Sequence, residues 1–178
     1  MARVPLIEDS SDPHTKELIE RLRKGRRGSL LGIYQALLHN STLAETWFNH
    51  VNAVRWKTDL SGRLREILII RTGWRLGSAY IIKQHIPKLA APEGLSASEC
   101  EVLLGDNAQD GESFSPAERA AIRLADELTT RATASDDVIA SLKPFYTDKT
   151  LVEMMVLIGT YNMHARFVAG LGIETETE

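Results

Sequence analysis

The chain has 178 residues, 43% of them apolar, with 21 lysines and arginines against 24 acidic residues and a formal net charge of -3. That length suits one globular domain over residues 1–178, and the slightly acidic balance excludes the electrostatic footprint of a nucleic-acid-binding protein. A lone cysteine, Cys100, leaves no intrachain disulfide, no charged-then-apolar leader opens the sequence, and Arg71, Arg75 and Lys83 break the apolar stretches well short of the about 20 residues a membrane span needs, so a soluble cytoplasmic protein is expected.

Helix punctuation recurs along the chain. Asp12 and Pro13 place a capping oxygen and a pre-set φ before Leu18, Ile19 and Leu22, and Gly25 is expected to close that helix in the left-handed conformation. The basic stretch Arg21, Arg23, Lys24, Arg26, Arg27 reads as its solvated end. A second helix is expected over 30–39, and Ser41 is expected to cap a third in which Leu43, Trp47, Val51 and Val54 form one apolar stripe. Ser61 opens a helix over 63–75 that Gly77 ends, and Ser78 caps another through residue 89, so 63–90 reads as a tight helical hairpin. Ser96 with Glu99 and Ser115 with Glu118 are capping boxes, the second with Pro116 in the favoured first helical position. Between them, 105–114 is a polar loop. A short helix near 136–145 and a long apolar one from 149 to about 169, closed by Gly170, precede a polar tail over 174–178. No stretch alternates apolar and polar residues as a half-buried strand does, so the prediction is an all-α fold of about eight helices with the hairpin in its core.

The chemistry concentrates in that hairpin. Glu66 lies in a run whose other residues, Leu64, Ile67, Leu68, Ile69, Ile70 and Trp74, cover nearly every direction of the helix. A carboxylate there must meet a cation, a metal or a polar cavity, or be protonated, and Arg71 and Arg75 stand at the wrong separation to be its helical partners. One reading is therefore a structural ion pair with an arginine elsewhere. Ser78, Ile81 and His85 share a face of the next helix, Ser78 at its N-terminus, where backbone N–H groups favour an anion or simply a cap. Pro87 is expected to kink this helix and open space beside His85. Tyr80, Tyr161, Asn162, His164 and Arg166 are further polar groups in apolar company. The five histidines show no metal-ligand spacing, there is no glycine-rich phosphate loop, and Ser78 and His85 are too far apart for a direct nucleophile–base pair, so no metal and no cofactor are expected.

Residues 63–95 resemble the carboxymuconolactone decarboxylase family, which includes the alkyl hydroperoxidase D branch. The resemblance is carried by Leu64-Arg65-Glu66, Arg71, Gly73-Trp74, Gly77-Ser78-Ala79-Tyr80, His85 and Gly94-Leu95-Ser96, with flanking likeness at 36–40, 114–118 and 125–128. In the hydroperoxidase branch a glutamate, a Cys-x-x-Cys pair and a histidine occupy the places of Glu66, Ser78, Ile81 and His85. Glutamate and histidine are kept here and both thiols are gone, and serine cannot replace a thiolate in peroxide reduction or disulfide exchange. Cys100 lies outside the motif, on the following helix, which disfavours a peroxidase built on it.

What the resemblance leaves open is the decarboxylase chemistry, which needs no thiol. It implies a cofactor-independent lyase on a small cyclic or lactone carboxylic acid, with His85 as proton donor, Glu66 behind it and Ser78 at the anion, while Tyr80, Ile81 and Arg71 line the substrate. A non-catalytic small-molecule-binding or scaffold protein is the alternative. The family also implies a homo-oligomer, a trimer or hexamer.

Overall fold

A computed structural model describes residues 2–26 and 28–175; Arg27 of the basic stretch and residues 176–178 of the tail lie outside them. Among the described residues there are nine α-helices and no strand: α1 (Pro13–Lys24), α2 (Gly32–Leu37), α3 (Ser41–Trp56), α4 (Gly62–Arg75), α5 (Ala79–His85), α6 (Ala97–Leu103), α7 (Pro116–Arg131), α8 (Asp136–Leu142) and α9 (Asp148–Leu171). Among the same residues no helix is long and apolar enough to cross a membrane. The chain divides into two compact units, one of 1–53 with 167–178 and one of 54–166.

In the first unit the Asp12 side chain accepts from Thr15 N and caps α1, whose Leu18, Ile19 and Leu22 are buried as expected. Gly25, however, is right-handed at φ -73°, and the left-handed residue is Gly28 at +88°. What Gly25 supplies is room, since a Cβ there would stand 2.5 Å from Cζ of Phe48. Ser41 is not the cap of α3 either; the Asn40 side chain accepts from Leu43 N. The buried stripe runs through Ala44, Phe48 and the expected Val51, and Leu43, expected inside, is exposed.

The second unit is built around α4. Its N-terminus is capped by the Ser61 side chain, which accepts from Leu64 N, and residues 64–73 are all buried. Leu64, Leu68 and Ile69 face a core shared with Ala121, Leu124 and Ala125 of α7 and Leu157, Ile158 and Tyr161 of α9. Ile67 and Ile70 face a second core with Leu95, Cys100, Leu103, Phe114 and Ile122. A helix apolar on all sides thus lies between two cores, which leaves Glu66 no direction toward solvent.

Gly77, at φ +62°, turns the chain from α4 into α5. Gly73 lets α5 come close, because a Cβ on it would stand 2.7 Å from Cγ2 of Ile81. The helix capped by Ser78 ends earlier than expected: after His85, residues 86–90 widen into a π-helical turn with Pro87 in its first positions, and a short 3-10 turn then leads to Gly94 at φ +84°. Proline lacks the N–H that an α-helical ladder requires there, and the wider turn accommodates the loss. Both capping boxes are present, and Arg63 ties them together: it pairs with Glu99 at 2.5 Å and Glu118 at 2.6 Å. The segment expected as a loop, 105–114, contains one 3-10 turn, and α9 runs to Leu171, two residues past its expected end, with Gly172 rather than Gly170 in the left-handed conformation.

Candidate functional site

Glu66 is fully buried, and His85 is 6% exposed. Oε2 of Glu66 lies 2.6 Å from Nδ1 of His85, and Oε1 accepts from Nη2 of Arg55 at 3.2 Å, with Nε of Arg65 at 3.8 Å. Burial works against an ionised Glu66, but its contact with His85 and the charges of Arg55 and Arg65 outweigh it and hold the carboxyl below its ordinary range, the hydrogen bond remaining when the imidazole is neutral. Burial also pushes the His85 imidazolium down, against the pull of Glu66, and the two arginines push the same way. Both directions favour a carboxylate beside an imidazole that gives up its second proton more readily than usual. The shared proton sits on Nδ1, which donates to Glu66, and Nε2 is left as the acceptor.

The cations that Glu66 requires come from two helices. Arg55 and Arg65 lie over the ring of Trp56 at 4.7 and 4.6 Å, and Arg65 also donates to Arg55 O and pairs with Glu93 at 2.7 Å. On the other side of the histidine, Tyr161 meets the His85 ring edge-on at 5.4 Å and stacks on His164 at 5.6 Å, with Tyr80 6.0 Å from His164. Asn162 and Arg166 point elsewhere: Asn162 donates to Thr129, and Arg166 donates back to Asn162.

The residues singled out from the sequence thus divide into groups. Glu66 and His85 are in direct contact, with Tyr161 against His85 and Tyr80 linked to it through the aromatic row. Ser78 is buried, and its Oγ accepts from Ile81 N at 3.4 Å as the cap of α5. Ile81 is packed into the first core. Arg71 is wholly buried and its donors are taken up by Asp126, at 2.6 and 2.8 Å, and by the carbonyls of Leu103, Gly105 and Asp106. Cys100 is buried, and burial raises its thiol pKa, so it offers no ready thiolate. Arg55 and Trp56 were not singled out by sequence reasoning; the signal was only the demand of Glu66 for a cation. No group of three or more His, Cys, Asp or Glu side chains able to hold a metal occurs among the described residues.

The chain is similar to known proteins in sequence family and in fold. Residues 41–127 match the model of the carboxymuconolactone decarboxylase family. Among solved structures, a variant of the debrominase Bmp8 in complex with 2,3,4-tribromopyrrole is similar with a TM-score of 0.82 and 16% identity over 99% of this chain and 95% of its own. An Agrobacterium tumefaciens protein of unknown function, Atu0492, thought to be the antioxidant defence protein AhpD, has a TM-score of 0.69 and 23% identity over 75% of this chain and 90% of its own. An uncharacterised peroxidase-related protein of Silicibacter sp. TM1040 has a TM-score of 0.75 and 13% identity over 99% and 92%. At these identities the likeness is one of fold. No curated protein is similar in sequence.

Proposed function

From the membership of this chain in the carboxymuconolactone decarboxylase/AhpD-like superfamily, we propose a cofactor-independent lyase that decarboxylates a small cyclic or lactone carboxylic acid by proton transfer through His85. The observation that carries this reading is the 2.6 Å contact of His85 Nδ1 with a buried Glu66, together with the absence of a thiol at positions 78 and 81. In the proposed reaction the bond to the substrate carboxylate breaks, carbon dioxide leaves, and the electron pair enters a conjugated carbonyl. His85, protonated at Nε2 from solvent, delivers that proton to the carbanion and returns to the neutral form. Glu66 supports the transient imidazolium across Nδ1, as an orienting carboxylate does for a catalytic histidine.

The test is carbon dioxide release from a panel of lactone and enol acids by the purified protein. His85→Ala is expected to abolish turnover with its helical circular dichroism retained, and unchanged turnover in that variant would sink the assignment. The near-complete burial of His85 favours a second reading, a non-catalytic small-molecule-binding protein. A co-purifying ligand with no conversion of any panel acid would select that reading.

A further inference from the structure

Two arginines reach Glu66, and their roles differ. Arg65 is bound to its own surroundings, donating to Arg55 O at 3.0 Å and to Glu93 at 2.7 Å, and only its Nε approaches Glu66, at 3.8 Å. Arg55 is the one whose guanidinium donates directly to the carboxylate, at 3.2 Å, and it does so to Oε1, the oxygen that His85 does not use. Its side chain is 11% exposed and its plane is held against Trp56. We propose that Arg55 is a positioning residue that, acting through Glu66, holds His85 in the neutral tautomer whose Nε2 takes up from solvent the proton that the reaction then receives.

The geometry supports this in two ways. An ionised carboxylate only accepts, so the Nδ1 it faces must be the donor; Arg55 at Oε1 holds that carboxylate against the ring, and a Glu66 swung away would free His85 to adopt the other tautomer. A second positive charge beside the pair also opposes an imidazolium there. The charged and titratable groups around the histidine are Glu66 and Arg65 of α4 and Arg55 of α3, with Tyr161 of α9 against its ring; Glu93 faces Arg65, and Cys100 of α6 lies near Glu66. The net effect of the arginines is to make protonation of His85 harder than Glu66 alone would allow.

This inference rests on the proposed reaction for its purpose but is tested without substrate. Nitrogen-15 NMR of the histidine side chains, with His85 assigned from the His85→Ala spectrum, is followed against pH in the full chain. In the natural protein His85 is expected to be neutral at pH 7 with its proton on Nδ1; a charged ring, or the proton on Nε2, overturns the proposal. In Arg55→Leu the titration of His85 is expected to move up by about one pH unit or more, whereas Arg55→Lys, which keeps the charge, restores most of the natural value. A folded Arg55→Leu whose His85 titrates as in the natural protein overturns the proposal, and so does an Arg55→Lys that behaves like Arg55→Leu, because a purely structural role would not distinguish charge. If Arg55→Leu does not fold, Arg55→Gln is read by the same criteria, and the tautomer of the natural protein stands as a test in itself. Altered titration with no turnover of any panel acid refutes the lyase reading and leaves this one standing.

Discussion

A neutral histidine that must deliver a proton has a direction built into its pH response. Burial, reinforced by Arg55 and Arg65, sets its titration below the ordinary 6.5 in the free protein. For the proposed lyase, kcat/KM is therefore expected to fall as pH rises through a value below 6.5, and a pH–rate profile on a panel acid checks it; a flat profile between pH 5 and about 7 removes His85 from the proton step. Glu66 was legible as a buried charge because its neighbours on the same helix leave it no polar side. Arg55 was not, since eleven positions and a turn between α3 and α4 separate the two, and nothing local announces which distant arginine will answer a carboxylate.

Among the elements, the hairpin of α4 and α5 is held in place by a surrounding clamp. Glu99 and Glu118 each serve a capping box with one oxygen, accepting from Ser96 N and Ser115 N, and pair with Arg63 through the other. The Arg63 hydrogen bond leads in holding the Glu99 pKa down to about 2, so its contribution is full above the unfolded value of 4.5 and is lost as pH falls through about 2. Arg63→Met is expected to cost on the order of 1 kcal/mol in urea unfolding at pH 7, since these groups are partly solvated, and the difference should shrink near pH 2. The capping boxes were readable because a cap is written within four residues. The arginine between them was not, because the link joins helices far apart in the chain. The π-helical turn at 86–90 was half readable: Pro87 announces a break, but whether a chain kinks, stops or widens depends on the packing around it.

For the whole molecule, the buried pair sets a limit on acid stability. An unfolded chain protonates His85 near 6.5, whereas the folded protein resists that proton, so stability is full above 6.5 and declines as pH falls toward the folded value. Melting temperatures between pH 7.5 and 5 are expected to decrease, with a shallower slope in His85→Gln than in the natural chain; identical slopes would mean the histidine does not govern the response. The all-α architecture was legible throughout, from caps and apolar spacing. On α3 the apolar spacing was legible in part: Val51 and Val54 are buried as expected, whereas Ala44 and Phe48 are buried and Leu43 is exposed, because several neighbouring apolar residues offer more than one inward stripe.

The close approach of Gly73 to Ile81 bears on what position 81 can hold. Ser78 secures the start of α5 and Ile81 fills the seam beneath it, so both positions are tied into the fold. Two thiols at these places would cost the fold a cap and a core side chain, so what positions 78 and 81 can hold is limited by packing as much as by chemistry.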